Sequence, residues 1–504
     1  MSIIIKTLFL TFFSCFGLLF AYVWQKSDLK ISDLIPKLHQ HTPPHFLSPY
    51  GKDYGYDGII NNIRDYDMKH LNGTYLDYTG SGLYRTSQMR DISKMYENTL
   101  FANPHSASPS SLLTTNLIED ARKLILKFLG TDATQYTVIF TASATASLRL
   151  LAESFPWTSN SLYLYTRENH NSVLGIRRWA LHYGAKFMAI NPEDINVVTP
   201  PSSQSSTGTA NNLFIYPGEE NFAGKKYPLD WINKFANTNI GQKFNSGRWF
   251  TCLDAAAFLP TNRLDLTKYP ADFVVMSFYK IFGYPNIGAL IVKNSVVPMM
   301  RKMGFSGGSV VMATCGTDYA LLQPRGCSRF EDGTVPFLSI IALHQGFQKL
   351  NELGIDRINA HVRCVTRELY LRLKNLRHSN GRPAIRIYGN HMKDDSKTQG
   401  GIVTFNLMNE TGGWVGYNEV MKASAAENIH VRVGCFCNPG GCTNANHLKD
   451  EQVEEYYNKK TSCHDGLDII NGVPLGAVRI SLGAYTTMED IELFDDFIHK
   501  YFVK

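Results

Sequence analysis

The 504-residue chain is 44% hydrophobic and 19% charged, the make-up of a folded globular protein long enough for two or more domains. Its 50 basic residues stand against 44 acidic ones, a net charge of +6, and they are scattered along the chain, so no basic platform or motif for binding nucleic acid is present. Nine cysteines, an odd number in so long a chain, argue against the disulfide framework of a small secreted domain, and the two Asn-x-Ser/Thr sequons at Asn72 and Asn409 do not alter that.

The first element in chain order is apolar. Residues 7–24, "TLFLTFFSCFGLLFAYVW", carry no charge between Lys6 and Lys26 and approach the roughly 20 residues a helix needs to cross a bilayer. They predict a single-pass membrane anchor within residues 1–25. A cleaved signal peptide and a buried segment are the alternatives, and no small-x-small cleavage site follows before "QKSDLK". The flanking charges are too balanced to set the orientation; the body is expected on the cytosolic side. Residues 26–55, with "HTPPHFLSPYG", read as a linker.

Leu113, Leu117, Ala121, Leu124 and Phe128 repeat at helical period, which predicts a helix over 110–129 stopped by Gly130. Six short apolar runs follow: "YTVIF", "SLYLY", "NLFIY", "RWFTCL", "ADFVVM" and "GALIV". Alternating with longer segments, they predict an α/β fold with a mainly parallel sheet covered by helices on both faces, and ligands at the carboxyl ends of the strands. The polar tract 200–212, "PPSSQSSTGTANN", reads as a mobile surface loop. This large domain is expected over 56–330, with a smaller α+β domain over 331–504.

Polar residues follow the expected strands. "TASATAS" after the first opens a helix, where Ala144 and Thr145 can cradle a phosphate, although an ordinary strand-to-helix turn has the same sequence. His170 follows the second strand, Asp254 the fourth and Lys280 the fifth. An aspartate and a lysine in apolar settings cost several kcal/mol unless paired or used. They form either a salt bridge or a working pair. Desolvation favours the free amine that Schiff-base chemistry needs, and an acid opposite a pyridinium nitrogen keeps it protonated. A phosphate cup, an aspartate and a lysine together point to pyridoxal phosphate.

"YLDYTGSGLY", "NPHS", "TASATAS", "ENHNSVLG", "DAAAFLPT", "SFYKIFGYPNIGALIV", "FEDGTVPFLSIIAL", "VRVGCFCNPGGC" and "VRISLGAY", in that order over roughly residues 70–500, resemble the NifS-like class V aminotransferase domain of molybdenum cofactor sulfurases. The resemblance implies a fold-type I transferase that binds pyridoxal phosphate, built on a seven-stranded type of sheet. It implies that Lys280 carries the cofactor as a Schiff base, Asp254 pairs with the pyridine nitrogen and His170 stacks on the ring. Asn221 would contact the 3-oxygen, and Ala144, Thr145 and Ser277 would hold the phosphate. Thr334 would reach the phosphate of a partner subunit, implying a homodimer, and Arg479 would grip the substrate carboxylate through its bidentate fork.

The three cysteines of "GCFCNPGGC", 435, 437 and 442, admit several readings. With His447 the spacing Cys-x-Cys-x4-Cys-x4-His is not a usual zinc pattern, and no metal is expected; a disulfide between two of them is possible outside the cytosol. The Gly-, Pro- and Asn-rich setting suits a loop that swings a thiolate in and out, and the resemblance implies that Cys437 carries a persulfide. The expected activity is therefore cysteine desulfuration: L-cysteine gives its sulfur to Cys437, which passes it to the molybdenum cofactor or a sulfur-acceptor protein. Ala257 and Tyr279 replace the glutamine and histidine of many cysteine desulfurases, which fits the sulfurase subgroup better. Full-length eukaryotic sulfurases continue into a MOSC domain, whereas this sequence stops at Lys504, so the acceptor is left open. The alternatives are a class V lyase or aminotransferase acting on another amino acid, and an inactive membrane-bound scaffold.

Overall fold

The computed structural model describes residues 51–196, 210–237, 240–324, 326–393, 395–459 and 466–504. The apolar segment 7–24 lies outside them, as does most of the linker and residues 200–209 of the polar tract. Among the described residues no helix is long and apolar enough to cross a membrane. The end of the polar tract departs from expectation, because Asn211 and Asn212 open a strand. Buried Asn212 is satisfied there, since its Oδ1 accepts from the Leu162 N–H of the neighbouring strand at 2.8 Å.

The central sheet has seven strands: β1 (Tyr136–Thr141), β2 (Leu162–Thr166), β3 (Lys186–Ile190), β4 (Asn211–Pro217), β5 (Arg248–Asp254), β6 (Phe273–Ser277) and β7 (Gly288–Lys293). Their order is β1-β7-β6-β5-β4-β2-β3. β7 runs antiparallel to β1 and β6; the remaining neighbours pair in parallel. Six of the seven match the apolar runs read from the sequence. The seventh, β3, lies at the sheet edge with its first three residues exposed, so "KFMAI" lacks the continuous apolar run of a strand covered on both faces.

Helix α1 (Pro109–Phe128) forms where the period predicts it. Proline occupies its first position, the Ser108 side chain accepts from Ser111 N, and Gly130 takes φ +67° just past its end, a conformation glycine adopts without strain. Helix α2 (Ala144–Ser154) starts directly after β1 with the Ser143 side chain accepting from Ala146 N. Helix α3 (Phe337–Leu353) buries Ile340, Leu343, Phe347 and Leu350 in the same core as Ile125 of α1 and Val274 of β6. By packing it belongs with the large sheet, although it follows the expected boundary near 330. Removing a buried phenylalanine such as Phe347 costs about 3–5 kcal/mol.

Helix α4 (Ile355–Leu373) leads to a second sheet of β8 (Ile385–Tyr388), β9 (Ile402–Leu407), β10 (Arg432–Gly434) and β11 (Ala477–Ser481). It is antiparallel throughout, in the order β8-β9-β11-β10. A short helix α5 (Pro439–Ala445) follows β10, and α6 (Met488–Phe502) closes the chain, packing Ile491 and Phe494 with Phe405 and Val478 of the small sheet. The N-terminal part of the body joins this sheet to the large one, where Gly82 N–H donates to Tyr279 O at 3.0 Å just after β6. Thr74–Tyr75 pairs with Ile429–His430, and Ser481 N–H donates to Leu76 O at 2.8 Å.

Candidate active site

Six of the seven strands run in one direction, and the carboxyl ends of five of them deliver residues singled out above. One cleft is lined by Ala144, Thr145, His170, Asn221, Asp254, Ser277 and Lys280. They come from the ends of β1, β2, β4, β5 and β6, where an open α/β sheet leaves a crevice.

Lys280 lies on the single-turn helix Phe278–Phe282 directly after β6. Burial lowers its pKa from the ordinary lysine value to about 8; Asp254 opposes that shift, and Arg479 adds to it. Desolvation outweighs attraction because the carboxylate is not in contact. Asp254, 8% exposed, spends Oδ1 on the backbone N–H of Ala256 at 3.0 Å, and its Oδ2 accepts from no protein donor among the described residues. The salt bridge that would neutralise both groups is therefore not made, and the pair stays available.

His170 caps the short helix Asn171–Leu174, and its Nδ1 accepts from Ser172 N–H at 3.1 Å. That bond leaves the proton on Nε2 in the neutral ring. Burial lowers the His170 pKa, Asp254 raises it and Lys280 lowers it, so the imidazole is held uncharged. The other end of the cleft is polar. Ser277 Oγ accepts from the Ala144 N–H at 2.9 Å, Thr145 Oγ1 meets Ser172 Oγ at 2.8 Å, and the Thr145 N–H has no protein acceptor among the described residues. An eleven-residue helix begins there, so its open N–H and positive dipole end face the cleft and suit a phosphate. Gly288 of β7 allows this turn to close: a Cβ there would lie 2.5 Å from the Ser143 carbonyl carbon.

Arg479 and Cys437 stand at the margin of the cleft. Arg479 is 2% exposed. Its Nη2 donates to Asp77 Oδ1 and its Nη1 to the Asn221 carbonyl, both at 2.8 Å, and its Nε is buried without a partner among the described residues. The ring of Phe436 lies 4.7 Å from the guanidinium carbon. Desolvation pulls the Arg479 pKa down, and Asp77 pulls it back up. Asp77 also takes Arg432 Nε and Nη2 on Oδ2, at 2.9 and 2.6 Å, so one carboxylate ties two arginines together.

The cysteine loop sits directly on these residues. Phe436 O accepts from Asn221 Nδ2 at 2.6 Å, and Cys437 O accepts from Asn171 N–H at 2.7 Å. Phe436 and Cys437 both take left-handed backbone conformations, φ 54° and 56°, which cost non-glycine residues about 1–3 kcal/mol each. Outside contacts hold them there. Asn438 caps α5 by accepting from Gly441 N–H, and its Nδ2 donates to buried Glu220 at 3.0 Å. Glu168 accepts from Asn444 of α5 at 3.0 Å, from Lys225 at 2.8 Å, and from Tyr227.

Cys435 and Cys442 form a disulfide, and Cys437 between them is an exposed thiol. His447 faces Arg386 at 3.0 Å. The four-ligand zinc reading therefore loses two thiolates to each other and its imidazole to an arginine. Thr334 is exposed, its Oγ1 accepts from Asn103 Nδ2 at 3.5 Å, and it does not line the cleft. The sequence reading passed over Asp77 and Arg432, although "YLDYTG" and "VRVG" contain them, and Glu220 in "GEEN". Nothing in local spacing says which distant carboxylate an arginine will meet.

A mainly parallel sheet whose strand ends bring a desolvated lysine, an uncoupled aspartate and a neutral histidine to a helix N-terminus is the fold-type I architecture of pyridoxal phosphate enzymes. Within that class the chain belongs to the aminotransferase class-V family, whose model matches residues 74–494. It is 39% identical over 459 residues to human molybdenum cofactor sulfurase, covering 88% of this chain and 52% of that protein. With the Arabidopsis thaliana molybdenum cofactor sulfurase it is 40% identical over 488 residues, 90% of this chain and 60% of the relative. The chain thus spans little more than half the length of these relatives. The solved apo cysteine desulfurase of Thermococcus onnurineus shares the fold, with a TM-score of 0.68 at 19% identity over 88% of this chain and 98% of that one.

Proposed function

We propose that the protein is a pyridoxal phosphate-dependent cysteine desulfurase that collects sulfur on Cys437. The observation that carries this reading is the docking of a free thiol loop, through Asn171 and Asn221, onto the cleft that holds Lys280, Asp254 and His170. The donor set fits the cofactor. The open N–H of Thr145, with Ala144 and Ser277, would receive its phosphate; the unused Oδ2 of Asp254 would take its ring nitrogen; Asn221 would reach its 3-oxygen; and neutral His170 would lie on its face. When bound, pyridoxal phosphate supplies an electron-withdrawing ring that stabilises negative charge on the substrate α-carbon.

The chain's own residues do the rest. Arg479 binds the carboxylate of L-cysteine after Phe436 leaves its guanidinium. Lys280, with its proton affinity lowered by burial, takes the α-proton as general base. The Cys437 thiolate attacks the substrate sulfur; a sulfur–sulfur bond forms as the substrate carbon–sulfur bond breaks, alanine leaves, and the persulfide remains on the loop. The sulfur then passes to the molybdenum cofactor or to an acceptor protein.

Other parts of the reading rest on composition and surface. The body divides along the chain into 56–330 and 331–504, with α3 of the second stretch packed on the large sheet, an anchor at 7–24, a linker over 26–55, and the catalytic body in the cytosol. A homodimer is favoured by Met303, Val311, Met312, Tyr319 and Leu321, each more than half exposed on and beside the hairpin of Val310–Ala313 and Ala320–Leu322, a patch that covering would stabilise. In such a dimer the partner subunit's Thr334 would complete the phosphate end.

The test is purified protein given L-cysteine, with alanine and sulfide measured for wild type, Lys280→Ala and Cys437→Ser. Protein that binds no pyridoxal phosphate, and so has no visible absorbance, fits a scaffold instead. Full turnover by Cys437→Ser without added reductant fits a class V lyase or aminotransferase.

A further inference from the structure

Arg479 is set into an inner strand of the small sheet, with Thr404 of β9 and Arg432 of β10 as its cross-strand partners. Neither neighbour holds its guanidinium. Thr404 Oγ1 donates to the Phe222 carbonyl, and two like charges directly opposite each other on a ladder repel. The carboxylate that meets both arginines comes from a third segment, 355 and 402 residues away along the chain. Asp77 gives Oδ1 to Arg479 Nη2 and Oδ2 to Arg432 Nε and Nη2. Among the described residues no other carboxylate forms an ion pair with either arginine.

The buried aspartate is itself held from behind. Its carbonyl accepts from the N–H of Gly80 at 2.9 Å, from that of Ser81 at 3.2 Å and from the Tyr75 hydroxyl at 3.1 Å. Its backbone bridges to Ser481 of β11, whose Oγ accepts from the Thr79 N–H at 2.9 Å. Gly80 makes room for the shared contact: a Cβ there would lie 2.4 Å from Asp77 Oδ2 and 2.7 Å from Arg432 Nη2. Arginine is among the side chains that lose most rotamer freedom when ordered, so an anchor in place before a ligand arrives removes that loss from the binding step.

We propose that Asp77 is a positioning residue for substrate selection: it sets Arg479 so that the remaining N–H groups of the guanidinium take the α-carboxylate of the amino acid. The inference rests on the reading of Arg479 as the carboxylate site. The contact with Asp77 is one-sided. A guanidinium has five N–H groups; Asp77 takes one on Nη2 and the Asn221 carbonyl one on Nη1. Three are left, among them the buried Nε–H that has no partner among the described residues, and a bidentate carboxylate needs two. Charge points the same way. One aspartate divided between two guanidiniums leaves a positive charge over. Glu220, the other acid that acts on Arg479, spends its oxygens on the N–H groups of Phe222, Ala223 and Lys225 and on Asn438 Nδ2. Arg432, by drawing on Oδ2, keeps Asp77 from neutralising Arg479 outright.

The test compares L-alanine with ethylamine, which differ by the carboxylate alone, in binding to the full chain loaded with pyridoxal phosphate, followed by the change in cofactor absorbance. Asp77→Ala should lower the preference for L-alanine at least about tenfold and leave ethylamine within about twofold. KM for L-cysteine should rise by a like factor with kcat within about threefold. Asp77→Asn, which keeps a neutral acceptor, should fall between wild type and Asp77→Ala. In an Arg479→Lys background Asp77→Ala should change the preference less than about twofold, because residues that act through one contact are not additive. Melting temperature checks folding, and if Asp77→Ala does not fold, Asp77→Asn and Gly80→Ala, which crowds the carboxylate, take its place. An unchanged preference, equal losses for both amines, or a full additional loss in the Arg479→Lys background would overturn the proposal. If Arg479→Lys itself leaves the preference unchanged, the carboxylate reading of Arg479 falls and the role of Asp77 with it. A chain that takes up no pyridoxal phosphate removes both together with the desulfurase reading.

Discussion

Lys280 and Cys437 work in unlike surroundings. The lysine follows a strand of which all five residues are buried, and its backbone is pinned by Gly82 N–H donating to Tyr279 O at 3.0 Å; a Cβ on Gly82 would lie 2.8 Å from Lys280 O. The cysteine sits exposed on a turn of two left-handed residues, held by hydrogen bonds to Asn171, Asn221 and Glu220 and by one disulfide. A group that must hold a cofactor's position gains from a dry, rigid strand end. One that must leave with cargo is held by contacts that can be broken singly. Phe436 covers Arg479, so in the proposed reaction release of the loop would also uncover the arginine for the substrate carboxylate.

That contrast can be broken in order of effect. Lys280→Ala should lower alanine formation about a thousandfold or more, with the visible absorbance of the cofactor lost in the same preparation. Retained turnover would mean that a different amine does the work.

The second effect concerns pH. The native lysine has its pKa lowered from 10.5 to about 8, so between those values the unfolded chain binds more protons than the native one. Native stability therefore rises with pH across that window by roughly 3 kcal/mol, and the cost of burying the charged amine is fully present below it. Melting of the cofactor-free protein should show this rise, and Lys280→Met should flatten it; identical pH profiles for the two would place the amine in water.

Third, Cys437→Ser should cut desulfuration about a hundredfold, ~2.7 kcal/mol on the barrier, while the absorbance of the bound cofactor stays. Fourth, Cys435→Ser with Cys442→Ser should lower stability by about 2 kcal/mol through the lost closure of a seven-residue span, read in denaturant unfolding. Smallest is Glu220→Gln, which removes the charge from the acceptor of Asn438. A charge-assisted hydrogen bond is worth about 1.5–3 kcal/mol at most, so a threefold to tenfold loss of persulfide yield with an unchanged cofactor spectrum is expected. A change in the spectrum instead would mean that Glu220 supports the cleft and not the loop.

The legible parts of the molecule were those that local pattern encodes. Six strands showed as apolar runs because helices cover both faces, while β3 was missed because its exposed face breaks the run. Lys280, Asp254 and His170 could be picked out because a polar residue after an apolar run marks a strand end. Arg479 was legible as a residue but not as a contact: its partners Asp77 and Asn221 lie 402 and 258 residues away along the chain.

The sequence by itself determined the class of the fold and several candidates for its chemistry, since hydrophobic period and side-chain type are properties of short stretches. Only the tertiary structure decided that Cys435 pairs with Cys442 and leaves Cys437 free, and that Asp254 and Lys280 share a cleft without neutralising each other. Those outcomes depend on distances between segments far apart in the chain, and they are fixed when the two sheets pack.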